Sequence, residues 1–187
     1  MIPVIKKIKT EIHHTQDMLL PWFAKSEGLY NYQPPAGSWS VPEILEHISL
    51  CSHYLLILID KGAKKALNKA RNTDPAFWDT AAAFHGDKLD EIGIHASFSW
   101  IRPEHMEPTG EKALAAVKTE ILEQFDRCLQ HLDQMPAGEG FLQKTTMTVN
   151  DLGKINVYEY IYFLAKHAQR HVGQMEKIEN SFLSSKS

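Results

Sequence analysis

Apolar residues recur at helical spacing in four segments of the chain. Ile5, Ile8 and Ile12 lie one turn apart in the first segment, and the third carries a similar stripe. Four amphipathic helices of similar length predict an all-α fold, a four-helix bundle. The helices are predicted near residues 2–25, 41–62, 109–135 and 156–180.

Two of these helices have clear start signals. Ser40 is followed three residues later by Glu43, and Asn156 by Glu159, which is the spacing of a capping box. Pro42 would fall in the first turn, where its missing N–H does no harm. We therefore expect the second helix to start after Ser40 and the last to open at Asn156.

The connections are less regular. Residues 64–108 show no clear periodicity and are too long for a tight turn, so a long crossover connection between helices two and three is predicted. The segment "GFLQKTTMTVNDLGKI" is interpreted either as a bent connector or as a small hairpin. The chain is otherwise expected to form a single domain over residues 1–187.

Composition narrows the class of protein. Of the 187 residues, 43% are hydrophobic and 23% charged, which is typical of a globular protein in water. The net charge of -3 gives no electrostatic reason to expect a nucleic-acid partner. No apolar run is long enough to predict a membrane partner, and none resembles a signal peptide. Two cysteines make no disulfide framework, so a cytoplasmic location is expected.

A histidine pair near the C-terminus is the clearest chemical signal. His167 and His171 continue the core-facing stripe of Tyr160 and Leu164. Imidazoles one turn apart can share a metal ion, and neutral imidazole suits zinc, nickel, copper or iron. The alternative is that both are hydrogen-bonded core residues without a ligand.

A third histidine strengthens the metal interpretation. His47 lies at the edge of the apolar stripe of helix two, whereas His53 falls on the opposite side, towards solvent. Three histidines from two helices would leave a coordination position open, as catalytic zinc sites do.

Three motifs resemble the DinB-like superfamily. They are "PPAGSWSVPEILEHI", "RPEHMEPTG" and "HAQRHVGQMEKI", and in this order they span residues 33–180. The resemblance implies a four-helix bundle that holds one divalent metal through His47, His167 and His171. It also implies a homodimer and a small-molecule substrate. Some similar proteins transfer low-molecular-weight thiols such as bacillithiol or mycothiol, or isomerise maleylpyruvate with a thiol cofactor.

Two residues are candidates for orienting the ligands or substrate. Glu43 lies one turn before His47, although it is more simply the capping-box carboxylate. Gln174 lies one turn past His171 and is equally consistent with a solvated helix end. Cys51, one turn past His47, is interpreted as a core residue, and Arg170 as a surface or dimer-interface residue.

The irregular stretch 64–108 holds further candidates. Its histidines are interpreted as loop residues in a segment that covers the metal, and its aromatic residues either line a substrate cavity or seal the end of the bundle. They are His85, His95, His105, Trp78, Phe98 and Trp100.

Three functions are compatible with these residues. The leading hypothesis is a metal-dependent transferase that joins a bacillithiol-like thiol to an electrophile, with Zn²⁺ or Ni²⁺ preferred and Mn²⁺ or Fe²⁺ as alternatives. The second is a metal-dependent hydrolase that uses activated water. Ala168, Gln169 and Arg170 separate the paired histidines, so they supply no HExxH glutamate as a base. The third hypothesis is a non-catalytic metal-binding stress-response protein.

Overall fold

The protein is mostly helical, which confirms the all-α class. The computed structural model describes residues 2–34, 37–74, 83–98 and 103–186. In that part of the chain we number six α-helices and one antiparallel hairpin. They are α1 (Pro3–Leu19), α2 (Glu27–Tyr30), α3 (Val41–Ala70), α4 (Gly86–Asp90), α5 (Leu114–Gln134), β1 (Lys144–Met147), β2 (Gly153–Asn156) and α6 (Val157–Ser184).

The four long helices pack around one apolar core. Both α1 and α3 pack on α5 and α6. Glu11 pairs with Lys166, and further along both helices Gln169 donates to Thr15, so α1 and α6 run in the same direction. Helices α1 and α6 are therefore neighbours that run parallel to each other.

Helices α3 and α5 also run parallel to each other. Ser49 donates a hydrogen bond to Glu120, and further along both helices Asp60 pairs with Arg127. Two consecutive helices that run parallel need a connection that returns along their length. The predicted crossover between the second and third long helices is confirmed.

Helices α3 and α6 are antiparallel, and this places the start of α3 beside the second half of α6. At the other end of α3, a β-carbon added at Gly62 would lie 3.1 Å from Cγ2 of Val157. At the near end, the ring centroids of His47 and His171 lie 4.7 Å apart. The helix directions are thus up, down, down and up along the chain.

Two predicted helix boundaries are wrong. Helix α3 continues past Gly62 to Ala70, because Gly62 is buried against α6 rather than ending the helix, and Ala63 and Ala66 are buried after it. Helix α5 begins at Leu114 instead of near residue 109.

The late start of α5 has a local cause. The backbone N–H groups of Thr109 and Gly110 donate to the buried carboxylate of Glu46, at 3.2 and 2.8 Å. Gly110 adopts a φ of 75°, which glycine tolerates and a helix does not. The segment before α5 is therefore fixed on α3.

Both capping boxes are present. The backbone N–H of Ser40 donates to Oε2 of Glu43 at 2.7 Å, and that of Asn156 donates to Oε2 of Glu159 at 2.8 Å. Glu159 donates its own N–H to the Asn156 side chain at 3.1 Å. Of the two interpretations of the segment before α6, the hairpin is correct.

Two further expectations concern a homodimer and a membrane. The half-buried Ile2, just before α1, and Val4 on α1 pack against the core of this chain, so they give no separate support to a dimer, and the homodimer stays a prediction. Among the described residues one helix, α3, is long and apolar enough to cross a membrane. In its most apolar window 61% of residues are buried inside the protein, as in an ordinary core helix, so this is weak evidence for a membrane.

Candidate metal centre

Helices α3 and α6 each present two potential metal donors one turn apart. His47 and Cys51 lie on α3, and His167 and His171 lie on α6. All four residues are buried. Residues four apart share a helix face, so the two donors of each pair lie on the same side of their helix. Donors of both helices lie within 4.8 Å of one another, so these two sides face each other.

The donor atoms lie close together. Nε2 of His167 is 3.1 Å from Nε2 of His171, and Sγ of Cys51 is 3.5 Å from Nε2 of His47. The ligand atoms of His47, Cys51 and His167 all lie within 4.8 Å of one another. Two nitrogens on one tetrahedral zinc ion, each about 2.0–2.1 Å from it, are about 3.3 Å apart. The 3.1 Å between the Nε2 atoms of His167 and His171 is close to that value.

Hydrogen bonds fix the tautomer of two of the histidines. Nδ1 of His47 lies 2.7 Å from the carbonyl oxygen of Met106, and Nδ1 of His171 lies 2.9 Å from Oε1 of Gln174. A carbonyl oxygen only accepts, so each Nδ1 carries the proton and donates. In a neutral imidazole this leaves the lone pair on Nε2, where a metal binds. The donor set therefore fits a metal ion.

Burial keeps the α6 histidines uncharged. It lowers the pKa of His167 well below its usual value, and the neighbouring His171 and His47 lower it further. Burial, followed by the charge of His47, lowers the pKa of His171 to about 3. Both imidazoles are thus neutral at pH 7, which is the form that binds metal.

A cavity of about 240 Å³ opens beside the four donors. Its wall includes Trp39, whose ring centroid lies 4.6 Å from that of His47. Other described residues that line it are Gly37, Ser38, His95, Pro103, Met106, Arg170 and Gln174. The sequence predicted that the irregular stretch covers the metal. Three of its residues, His95, Pro103 and Met106, line the cavity beside the donors.

Arg170 is not the surface residue that the sequence interpretation expected. Only 8% of it is exposed, and it lines the cavity. Its guanidinium donates to the carbonyl oxygens of Ile94 and Phe98, at 2.6 and 3.3 Å, and to the hydroxyl of Ser97 at 3.2 Å. Three residues are 300° of helix turn, so Arg170 lies only about 60° from His167, within the width of one face.

Of the other candidate residues, Gln174 and Cys51 lie in the site, whereas Glu43 caps the start of α3. Gln174 contacts His171, whereas the Glu43 carboxylate accepts hydrogen bonds from Ser40 at the start of α3. Cys51 is buried as expected, but it lies against His47 and lines the cavity, which the sequence interpretation missed. The spacing of four residues between His47 and Cys51 was the available signal.

The remaining candidates of the irregular stretch lie elsewhere. His85 contacts the carboxylate of Glu159 at 2.7 Å, and the His105 ring packs on Tyr54 with centroids 4.6 Å apart. Phe98 packs against Arg170. Trp78 and Trp100 lie outside the described residues. His53 is exposed, as predicted.

A larger groove of about 610 Å³ lies between α3 and α5, and none of the four donors lines it. Four of its charged side chains pair with each other, Asp60 with Arg127 and Lys112 with Glu120. We place the chemistry in the smaller cavity, because the convergent donor atoms and the strongly lowered histidine pKa values are found there.

Fold and site together define an all-α protein with a buried cluster of histidine and cysteine donors between two antiparallel helices. The family model of the DinB superfamily matches residues 11–175, a range that contains all four donors. The chain belongs to the DinB superfamily, which confirms the resemblance seen in its motifs. Proteins of this superfamily generally bind metal. Neither the curated proteins nor the solved structures gave a match.

Proposed function

We propose that this protein is a metal-dependent enzyme in which His47, His167 and His171 hold one divalent metal. Its reaction is the transfer of a low-molecular-weight, bacillithiol-like thiol to an electrophilic small molecule. The observation that carries the proposal is the grouping of buried donors beside a cavity: Nε2 of His167 lies 3.1 Å from Nε2 of His171, and the ligand atoms of His47, Cys51 and His167 lie within 4.8 Å of one another.

The ligand type argues for the metal. Imidazole nitrogens suit Zn²⁺ and Ni²⁺ better than Mg²⁺ or Ca²⁺, which prefer oxygen ligands. Three neutral ligands leave the full positive charge on a bound ion, and that charge would favour a thiolate, or a hydroxide, over its protonated form. Met106 and Gln174 keep the histidine rings in orientation.

The residues around the cavity favour a thiol over water as nucleophile. Of the described residues that line the cavity, none is aspartate or glutamate. Activation of water benefits from a general base, and the nearby Glu43 carboxylate is already bonded to Ser40. A thiolate is nucleophilic once its proton has passed to solvent, so it needs no such base.

The rest of the cavity would hold the electrophile. The positive charge of Arg170 lies on its wall, with His95 and Gln174 nearby. These residues would bind the polar part of the substrate. In the transfer, the thiol sulfur forms a bond to the electrophilic carbon, and the leaving group departs with the electron pair of the bond that breaks. Arg170 is placed to stabilise the negative charge of the leaving group.

The experiment is a thiol-transfer assay on zinc-loaded protein purified without a histidine tag. Cysteine or bacillithiol serves as the thiol and 1-chloro-2,4-dinitrobenzene as the electrophile. We expect conjugation above the background rate, lost in His171→Ala and kept in His53→Ala. Equal rates for wild type and His171→Ala would refute the proposal.

Hydrolysis is the alternative, and it has a separate readout. Cleavage of 4-nitrophenyl acetate without added thiol, dependent on metal and on His171, would support metal-activated water instead. Activity in neither assay, with metal bound, would favour the non-catalytic alternative.

A further inference from the structure

Helix α3 repeats the donor spacing of α6. His167 and His171 are four residues apart, and so are His47 and Cys51. In both pairs the first residue lies one turn below the second on the same helix face. Because α3 and α6 are antiparallel and packed together, the two pairs face each other. The result is two donors from each helix.

The distance within each helix fits two donors on one ion. Nitrogen and sulfur ligands of a tetrahedral zinc ion, at about 2.0–2.1 and 2.3 Å from it, are about 3.5–3.6 Å apart. Sγ of Cys51 lies 3.5 Å from Nε2 of His47. The nitrogen pair on α6 is separated by 3.1 Å. Each pair thus matches the spacing of two ligands on one tetrahedral ion, and across the helices the ligand atoms of His47, Cys51 and His167 lie within 4.8 Å of one another.

We propose that Cys51 is a fourth metal ligand in the resting protein, through its Sγ atom, beside the three histidines. The inference rests on the metal site of the proposed function. It adds that the site is closed by a thiolate and therefore selects thiophilic ions such as Zn²⁺ and Co²⁺ over Mn²⁺ and Mg²⁺.

The turn Glu104–Met106 supports both α3 donors. The carbonyl oxygen of Met106 holds Nδ1 of His47, and the thiol of Cys51 donates to Sδ of Met106 at 3.6 Å. A thiol bonded to a thioether is a weak pair, so little is lost when the thiol gives its proton to solvent and binds an ion instead. The turn therefore contacts both α3 donors.

A thiolate from the chain would also regulate the reaction. The coordination position that an incoming thiol needs is the one that Cys51 occupies at rest. Cys51 then acts as an internal competitor, which must leave before a substrate thiol binds.

The two cysteines of the chain make a direct test available. Cys128 is fully buried on α5, and burial raises its pKa to about 12, so it is a matched thiol outside the site. Cobalt is added to metal-free wild type, Cys128→Ala and Cys51→Ser. The near-ultraviolet absorption then reports charge transfer from thiolate to Co²⁺, and the visible bands report binding by the histidines.

We expect the charge-transfer band in wild type and in Cys128→Ala, where only Cys51 can produce it, and its complete loss in Cys51→Ser. Wild type should also bind Zn²⁺ at least about tenfold more tightly than Mn²⁺. Visible cobalt bands without a charge-transfer band in wild type would overturn the inference and leave the three-histidine site intact. Absence of both kinds of band would overturn the metal site itself. A band that persists in Cys51→Ser would also overturn the role of Cys51.

Discussion

Gln174 shows what a single side chain beside the proposed metal ligands contributes. Its Oε1 accepts the Nδ1 proton of His171 and so keeps the lone pair on Nε2. Partners of this kind typically change metal affinity by about 10–100-fold. We predict that Gln174→Ala weakens Zn²⁺ binding by about that factor, measured by competition with a chromogenic chelator.

The control is Gln130→Ala, an exposed glutamine on α5. It should bind Zn²⁺ like wild type. If Gln174→Ala also binds like wild type, the hydrogen bond to His171 does not orient a ligand.

At the residue scale the sequence predicts some of the cluster and misses the rest. His167 and His171 follow from periodicity, and His47 follows from its stripe together with the family motifs. Cys51 looked like any small core residue, because its contact with Met106 comes from a distant turn. Arg170 was misjudged for the same reason, since its partners at Ile94, Ser97 and Phe98 lie in a stretch without periodicity.

Helix α6 begins at a fully buried cap residue. Asn156 is fully buried, and its side chain accepts the N–H of Glu159 and donates to the carbonyl oxygen of Ala83. We predict that Asn156→Ala lowers the free energy of unfolding by about 1–2 kcal/mol, measured by urea denaturation. Ser26→Ala, at the cap of the four-residue α2, is the control and should cost about 0.5 kcal/mol. An equal effect of both would contradict this account.

Packing between α1 and α6 should depend on pH. Burial raises the pKa of Glu11, but hydrogen bonds from Lys166 and Gln169 outweigh it and hold that pKa below its usual value of 4.5. The folded state therefore binds this proton less readily than the unfolded state. The stabilisation is present above pH 4.5 and is lost as the pH falls through the folded pKa.

We predict that Glu11→Gln costs about 1 kcal/mol at pH 7 and that its difference from wild type shrinks as the pH falls below 4.5. Urea denaturation across that range measures it. The exposed Glu176→Gln should match wild type throughout. A difference for Glu11→Gln that stays constant with pH would show that the ion pair is not its cause.

The two helix starts marked by capping boxes were predictable, whereas the end of α3 and the start of α5 were not. A capping box is a local pattern, so Ser40 and Asn156 could be found in the sequence. The end of α3 depends on burial against α6, which carries the helix past Gly62. The start of α5 depends on Glu46, a residue far away in the chain. Tertiary contacts of this kind leave no periodic signal.

For the whole molecule, the metal would join two antiparallel helices that are far apart in sequence. A ligand at about 100 times its Kd stabilises the folded state by about 2.7 kcal/mol. In a chain of this size that corresponds to a rise in Tm of about 5–10 °C. We predict such a rise on adding Zn²⁺, reversed by EDTA, in differential scanning calorimetry. The same rise in His171→Ala would place the stabilising ion elsewhere.

The sequence predicted the helical architecture and the crossover, but not the contacts of the connecting stretch. The length of stretch 64–108 predicted the crossover, and the parallel arrangement of α3 and α5 confirms it. The sequence predicted that this stretch covers the metal, but not which of its residues contact the donors, because those contacts are set by single residues such as Met106.

The central claim is that His47, His167 and His171 bind one divalent metal. Elemental analysis of protein purified without a histidine tag and equilibrated with Zn²⁺ tests it most directly. The prediction is about one metal ion per chain in wild type and in His53→Ala, and almost none in His171→Ala. Equal metal content in wild type and in a folded His171→Ala variant would contradict the claim.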